Sequence, residues 1–288
     1  MVEKIHNVTV LGTGVLGAQI AFQTAFSGLA VVAYDINQDA LTKAESAFQG
    51  LAETYRQQVA AAQGSDNHRA QEALSRITTS CDLDEAVHHA DLVIEAIPEV
   101  LDLKRKTFAA IGRLAPEKTI FATNSSTLLP SQLADASGRP DRFLALHFAN
   151  RVWQFNTAEI MGTPQTDPTV YQDVVNFATS IGMVPIELHK EKAGYVLNSL
   201  LVPLLHAAAQ LAEGGYADPA AVDATWRIAT GSPLGPFQMY DIIGLNTPYN
   251  ILVHGDAESQ RLAHWLKTDY IDKGKLGLAS GEGFYKYN

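Results

Sequence analysis

One cysteine, Cys81, stands among 288 residues. No disulfide can form within the chain, and a reducing, cytoplasmic setting is expected. Basic residues are also scarce: 21 Lys and Arg face 31 Asp and Glu, for a net charge of −10. No basic stripe offsets that balance, so nucleic acid is not an expected partner. The opening MVEKIHNVTV lacks the apolar core of a signal peptide. Long apolar runs are almost absent. Only residues 194–212, GYVLNSLLVPLLHAAAQLA, imitate a membrane span, and Asn198, Ser199, Pro203 and His206 interrupt them. A helix buried at a domain or subunit interface is expected there instead, with no membrane partner. No His, Cys, Asp or Glu grouping has metal-ligand spacing, so no metal site is expected. Against these absences, 47% hydrophobic and 18% charged residues are ordinary for a globular chain long enough for two domains.

What is present is concentrated near the start. Residues 8–11 form a short apolar run, and Gly12, Gly14 and Gly17 then fall in the order G-x-G-x-x-G. An apolar helical pattern follows (Ile20, Ala21, Thr24, Ala25), and a second apolar run, 29–34, ends on Asp35. Gly12 permits the tight turn, Gly14 lets the backbone approach a pyrophosphate, and Gly17 lets helix and strand pack closely. The helix N-terminus supplies free N–H groups and partial positive charge. An acid 18 residues past Gly17 suits the ribose hydroxyls of NAD and repels the 2′-phosphate of NADP. Dinucleotide binding is therefore expected, with NAD as the cofactor.

Beyond Asp35 the pattern predicts a helix over 38–62, a polar loop at 63–68 and a helix at 69–75. Strands are predicted at 77–79, 91–97, 119–123, 142–148, 157–161 and 183–187, with an amphipathic helix at 101–114. Strands alternating with helices predict a doubly wound, mostly parallel, Rossmann-like α/β sheet domain over 1–188. The strand signal then stops, and an all-α domain is expected over 189–288. Ligands in such sheets lie beyond the carboxyl ends of the strands. Those ends carry Gly12, Gly14, Val15, Leu16 and Gly17; Asp35; Ala96, Ile97 and Glu99; Asn124 and Ser126; and His147 and Asn150. His147 closes an apolar strand, and Glu159 sits inside the next one, TAEIM. A buried glutamate is costly unless paired. Side by side, the two satisfy each other, either as a structural ion pair or as a general base whose imidazole the carboxylate orients.

With those residues in view, the chain resembles the 3-hydroxyacyl-CoA dehydrogenase family nearly end to end. EAIPEVLDLK (95–104) is similar to its acidic-then-lysine segment, NSST (124–127) to its N-T-S-S, and HFAN (147–150) to its H-F-F-N-P. Glu159 falls at the family spacing after the histidine, GYVLN (194–198) is similar to G-F-x-x-N, and residues 231–247 and 274–287 match late family segments. The resemblance implies hydride transfer between NAD and C3 of a short-chain (S)-3-hydroxyacyl-CoA. It implies His147 as the proton-transferring group, Glu159 as its support, and Ser126 and Asn198 as hydrogen-bonding partners of the reacting oxygens. Asn150 would fix the nicotinamide and substrate geometry, and Glu99 and Lys104 would contact the cofactor. Separately, the apolar helix at 194–212 makes a homodimer through the helical domain the expectation.

Two departures stand near the substrate. The family's proline after H-F-F-N is Arg151 here, and the arginine after the helical-domain asparagine is Ser199. The segment that would grip CoA is thin in positive charge, with only Arg56 and Arg69 between residues 50 and 75. Arg56 is the candidate CoA contact and Arg151 a candidate substrate contact. An alternative is therefore a dehydrogenase of a small 3-hydroxy acid without CoA, of the L-gulonate or L-carnitine type, whose carboxylate Arg151 would meet. A third reading is an NAD-binding structural protein without catalysis.

Overall fold

A computed structural model describes residues 5–60 and 68–287. The chain divides into two compact units, residues 1–196 and 197–288.

The first unit is built on eight strands: β1 (Asn7–Leu11), β2 (Ala30–Tyr34), β3 (Ile77–Ser80), β4 (Leu92–Glu95), β5 (Ile120–Thr123), β6 (Phe143–Phe148), β7 (Thr157–Gly162) and β8 (Val184–Leu188). They lie in one sheet in the order β3-β2-β1-β4-β5-β6-β7-β8. Every neighbouring pair is parallel except β6 and β7. Strand order reverses beside β1, which opens a crevice at the carboxyl ends of β1 and β4. The central strands are apolar on both faces, as a sheet covered on both sides requires. One face is covered by α1 (Val15–Phe26), α2 (Gln38–Tyr55) and α6 (Pro168–Ser180), whose Phe22, Phe48 and Phe177 pack with Val10, Ile94 and Leu146. The other is covered by α4 (Leu83–Val87) and α5 (Leu101–Leu114), where Phe108 meets Phe121 and Phe143 edge to face.

Several boundaries differ from those the sequence predicts. The helix expected over 38–62 ends at Tyr55 and passes into a π-helical turn, Arg56–Ala60; residues 61 and 62 lie outside the described residues. Residues 63–67 of the expected polar loop also lie outside them, and His68 opens α3 (His68–Ser75). Helix α6, between β7 and β8, was not predicted. Its start signal was present: Asp167 caps it through Thr169 N–H, and Pro168 takes the first turn, where no N–H is needed.

The second unit is helical: α7 (Leu197–Glu213), α8 (Pro219–Thr230), α9 (Pro236–Ile243), α10 (Asn246–Leu252) and α11 (Ala257–Asp269). Its core gathers Leu205, Phe237, Tyr240, Leu262, Leu266 and Phe284. Two buried aspartates lock the late segments. Asp223 accepts the N–H groups of Phe237 and Gln238, while Asp241 accepts those of Phe284 and Tyr285 and the Tyr287 hydroxyl. The apolar segment at 194–212 needs correction. Gly194 and Tyr195 have positive φ, so the helix starts only at Leu197. In the single chain its Leu197, Leu200, Val202 and Leu211 are exposed. Among the described residues no helix is long and apolar enough to cross a membrane.

Candidate active site

The glycine turn behaves as its spacing requires. Gly12 has φ +92°, and a Cβ there would sit 2.7 Å from Ala96 O. A Cβ on Gly17 would lie 1.9 Å from Gly12 O, so the close contact it permits is with the turn itself rather than only with the strand. Gly14 is different: a Cβ there would meet nothing within 4 Å, so open space lies beyond it. Gly14 also caps α1 with no side-chain hydrogen bond, and the first turn, Val15 and Leu16 included, holds no acid. An uncapped helix end beside open space is what an anionic pyrophosphate needs. At the end of β2, the Asp35 carboxylate is anchored by Thr13, whose N–H and Oγ donate to it at 2.8 and 2.7 Å, and by Ile36 N–H.

The ends of β4 and β5 are joined by a buried charge cluster. Lys104, expected as a cofactor contact, is buried and paired. Its Nζ lies 2.5 Å from Glu95 and 3.2 Å from Glu99, and it donates to Ile97 O. The Glu95 carboxylate also accepts from Ile97 N–H and Thr123 Oγ. Burial pushes its pKa up, against the charge of Lys104 and those hydrogen bonds. For Glu99, burial works the same way but loses. Hydrogen bonds from Ser125 Oγ and Thr127 N–H and the charge of Lys104 bring it down to about 2. These bonds fix the turns holding Ala96, Ile97 and residues 124–127. Asn124 spends its Oδ1 on Phe148 N–H at 2.9 Å, tying the β5 turn to the end of β6. Glu95 stands at a strand end in the sequence, but its pairing with Lys104 nine residues on is not marked there.

His147 and Glu159 are opposed in the antiparallel register of β6 and β7. Both are almost fully buried, and His147 Nδ1 lies 3.0 Å from Glu159 Oε2. The other carboxylate oxygen accepts Val196 N–H at 2.9 Å. A carboxylate can only accept, so Nδ1 carries a proton and neutral His147 presents an Nε2 lone pair. That lone pair faces Ser126 Oγ at 3.1 Å. The turn itself is capped by Ser125, whose Oγ accepts Leu128 N–H.

Tyr195 completes the support and was not anticipated. Its ring stacks on His147 at 4.5 Å and 11°, and its hydroxyl donates to Ser125 O at 2.8 Å. Burial and the nearby charge of Glu159 keep that phenol well above its ordinary pKa. Its φ of +50° is a cost on the order of 1–3 kcal/mol for a non-glycine residue, which the stacking and hydrogen bond offset.

The remaining candidates divide. Asn150 and Arg151 follow β6 directly, and the Arg151 guanidinium lies over the Phe155 ring. Arg56 is engaged by Glu53 in an ion pair on α2, and Arg69 lies over the Phe26 ring and donates to Phe26 O. Asn198 stands in the first turn of α7, in the second unit, lining a cleft there with Leu201, Tyr240 and Thr247.

Comparison with known proteins covers both units. Residues 7–192 match the family described as 3-hydroxyacyl-CoA dehydrogenase, NAD binding domain, and residues 194–287 match its C-terminal domain. Human mitochondrial hydroxyacyl-coenzyme A dehydrogenase is 36% identical, over 98% of this chain and 91% of its own. The solved structure of (S)-3-hydroxybutyryl-CoA dehydrogenase from Ralstonia eutropha shares 29% identity at a TM-score of 0.84, over 99% of this chain and all of that one. A diketoreductase structure, described as catalysing reactions of dicarbonyl compounds, is 65% identical at a TM-score of 0.95, over 99% of both chains.

Proposed function

Because the chain belongs to the 3-hydroxyacyl-CoA dehydrogenase family of NAD-dependent oxidoreductases, we propose that it interconverts a 3-hydroxy and a 3-oxo group, with His147 as the acid–base group. The reading rests on one observation: a buried imidazole whose Nδ1 is fixed by Glu159 and whose Nε2 faces the Ser126 hydroxyl. Bound NAD supplies the acceptor, and NADH the donor, of the hydride at C3. In oxidation His147 Nε2 takes the proton of the C3 hydroxyl as that oxygen becomes a carbonyl. Glu159 stabilises the resulting imidazolium and keeps the ring in one orientation. In reduction the imidazolium returns its proton to the developing alkoxide. Ser126 donates to the reacting oxygen, and Asn150 orients the ligands beside it. On the cofactor side, the α1 end takes the pyrophosphate and Asp35 the ribose hydroxyls, with Ala96, Ile97 and Asn124 lining the crevice. Glu99 and Lys104 shape that crevice through each other.

The family favours a short-chain (S)-3-hydroxyacyl-CoA as substrate. A second reading, a CoA-free dicarbonyl compound, is supported by the 65% identity to a diketoreductase. It is also supported by the engagement of Arg56, the candidate CoA contact, with Glu53. NADH oxidation with acetoacetyl-CoA, set beside free acetoacetate and a 1,3-diketone, separates the two. His147→Gln is expected to bind NADH nearly as wild type and to lose at least ~100-fold in turnover, the scale of lost general-base catalysis. Near-normal turnover in that variant would remove His147 from the mechanism. The exposed Leu200, Ile228 and Ile251 support a homodimer through the helical unit, checked by the mass in light scattering. The lone Cys81, exposed and free, suits a reducing cytoplasm.

A further inference from the structure

The loop that leaves β6 is held by a side chain on α1. Gln19, buried beside apolar Ile20 and Phe22, accepts the backbone N–H groups of Arg151 at 2.7 Å and Val152 at 3.3 Å on its Oε1. Its Nε2 donates to Asn150 Oδ1 at 2.8 Å. Backbone nitrogens only donate, so those two N–H groups determine which end of Gln19 is oxygen. The other end then only donates, so the Asn150 atom it meets must be oxygen. Arg151 N–H, 3.0 Å from the same Oδ1, requires the same orientation. Asn150 Nδ2 is thereby turned away from α1 and makes no hydrogen bond among the described residues, on a side chain exposed at the His147 end of β6.

Arg151 makes this arrangement possible. Its φ is +62°. A proline, which the resembling family segment carries at this place, has no N–H and a φ near −65°. It could neither adopt this conformation nor donate to Gln19. The loop backbone and Gln19 therefore form one device.

We infer that Gln19 is a positioning residue, which anchors residues 150–152 and sets the Asn150 carboxamide so that Nδ2 is offered to a carbonyl oxygen of the bound ligands. The inference rests on the reading of His147 as the acid–base group. Two substitutions separate anchoring from amide orientation. Gln19→Met keeps volume but removes both functions. Gln19→Glu keeps an acceptor for the two N–H groups but cannot donate to Asn150, whose carboxamide can then either accept Arg151 N–H or donate to the new carboxylate, but not do both.

Hydrogen exchange of the 151 and 152 amides is expected to accelerate at least ~10-fold in Gln19→Met and to stay near wild type in Gln19→Glu. Turnover of Gln19→Glu is expected to fall ~10-fold, the scale of one misplaced hydrogen bond, with NADH affinity changed less than about threefold. In an Asn150→Ala background, adding Gln19→Glu should cost less than about twofold more, because the donor it misdirects is already gone. Unchanged exchange in Gln19→Met, or losses that multiply in the double variant, would overturn the inference. A wild-type protein inert toward 3-oxo substrates, or one indifferent to His147→Gln, would instead remove the functional reading. The exchange result would still decide whether Gln19 anchors the loop.

Discussion

Replacing Lys104 by methionine tests how the ends of β4 and β5 are held. Methionine keeps the aliphatic stem but removes the ammonium 2.5 Å from Glu95, whose side chain is fully buried. A carboxylate stranded there escapes by taking a proton, and that escape sets the size of the effect. Holding a group of unfolded pKa about 4.3 in its protonated form at pH 7 costs about 1.4 kcal/mol per pH unit, or about 3.7 kcal/mol. This agrees with the 3–5 kcal/mol typical of removing one partner from a buried pair. The sign follows from the direction of the shift. Burial raises the folded pKa of Glu95, more so without Lys104. The protonated form is therefore favoured by folding below the unfolded pKa, and that advantage is lost as pH rises toward the folded value. The Lys104→Met deficit should thus be largest near pH 7–8 and shrink to about 1 kcal/mol at pH 5. At about 2–4 °C per kcal/mol for a unit of this size, Tm should drop by roughly 7–15 °C at pH 7 and by only about 2–4 °C at pH 5. Calorimetry of wild type, Lys104→Met and Glu95→Gln/Lys104→Met across that range measures it. The double variant, which leaves only the part-exposed Glu99 without its ammonium, should regain most of the loss at pH 7. A deficit independent of pH, or no recovery in the double variant, would refute the reasoning.

The glycine turn separates into structural and ligand-facing positions. Gly17→Ala should abolish soluble protein or cost many degrees in a thermal melt, because the added methyl would lie 1.9 Å from Gly12 O. Gly14→Ala, with no atom within 4 Å, should melt within about 2 °C of wild type yet lose ~10-fold or more in NADH affinity by fluorescence titration. Asp35→Asn keeps an acceptor for Thr13 but removes the charge, so the ratio of NADPH to NADH affinity should rise ~10-fold. Arg151→Gly accommodates φ +62° and keeps the N–H donated to Gln19. It should preserve turnover of neutral substrates, whereas Arg151→Pro should lower turnover of every substrate; equal kinetics for the two would separate the loop conformation from activity.

What the sequence made legible was local or periodic. The turn glycines, the acid ending β2 and the strand ends carrying the candidate residues all follow from spacing within about 30 residues. His147 and Glu159 were legible because an acid inside an apolar strand demands a partner, and adjacent antiparallel strands supply one. Tyr195 was not, because its stacking on His147 depends on a backbone reversal at Gly194 and Tyr195, which the apolar pattern disguised as helix. Lys104 was expected to contact the cofactor: helical periodicity does not reveal that two acids close over its ammonium. Gln19 read as one polar residue on an apolar helix, since its acceptors and donors lie more than 130 residues away.

The opposed positions of His147 and Glu159 carry a wider consequence. Their separation is set by the backbone ladder of β6 and β7, not by the eight residues, 149–156, that connect the two strands. Those residues hold Asn150 and Arg151, the side chains proposed above to meet ligands, while Trp153 packs on Tyr55 and donates to Gln58. The connection can therefore change in sequence while the spacing of that pair stays constant. The ladder thus separates a fixed pair from a variable connection, and libraries confined to residues 151–155 test whether ligand preference follows that connection.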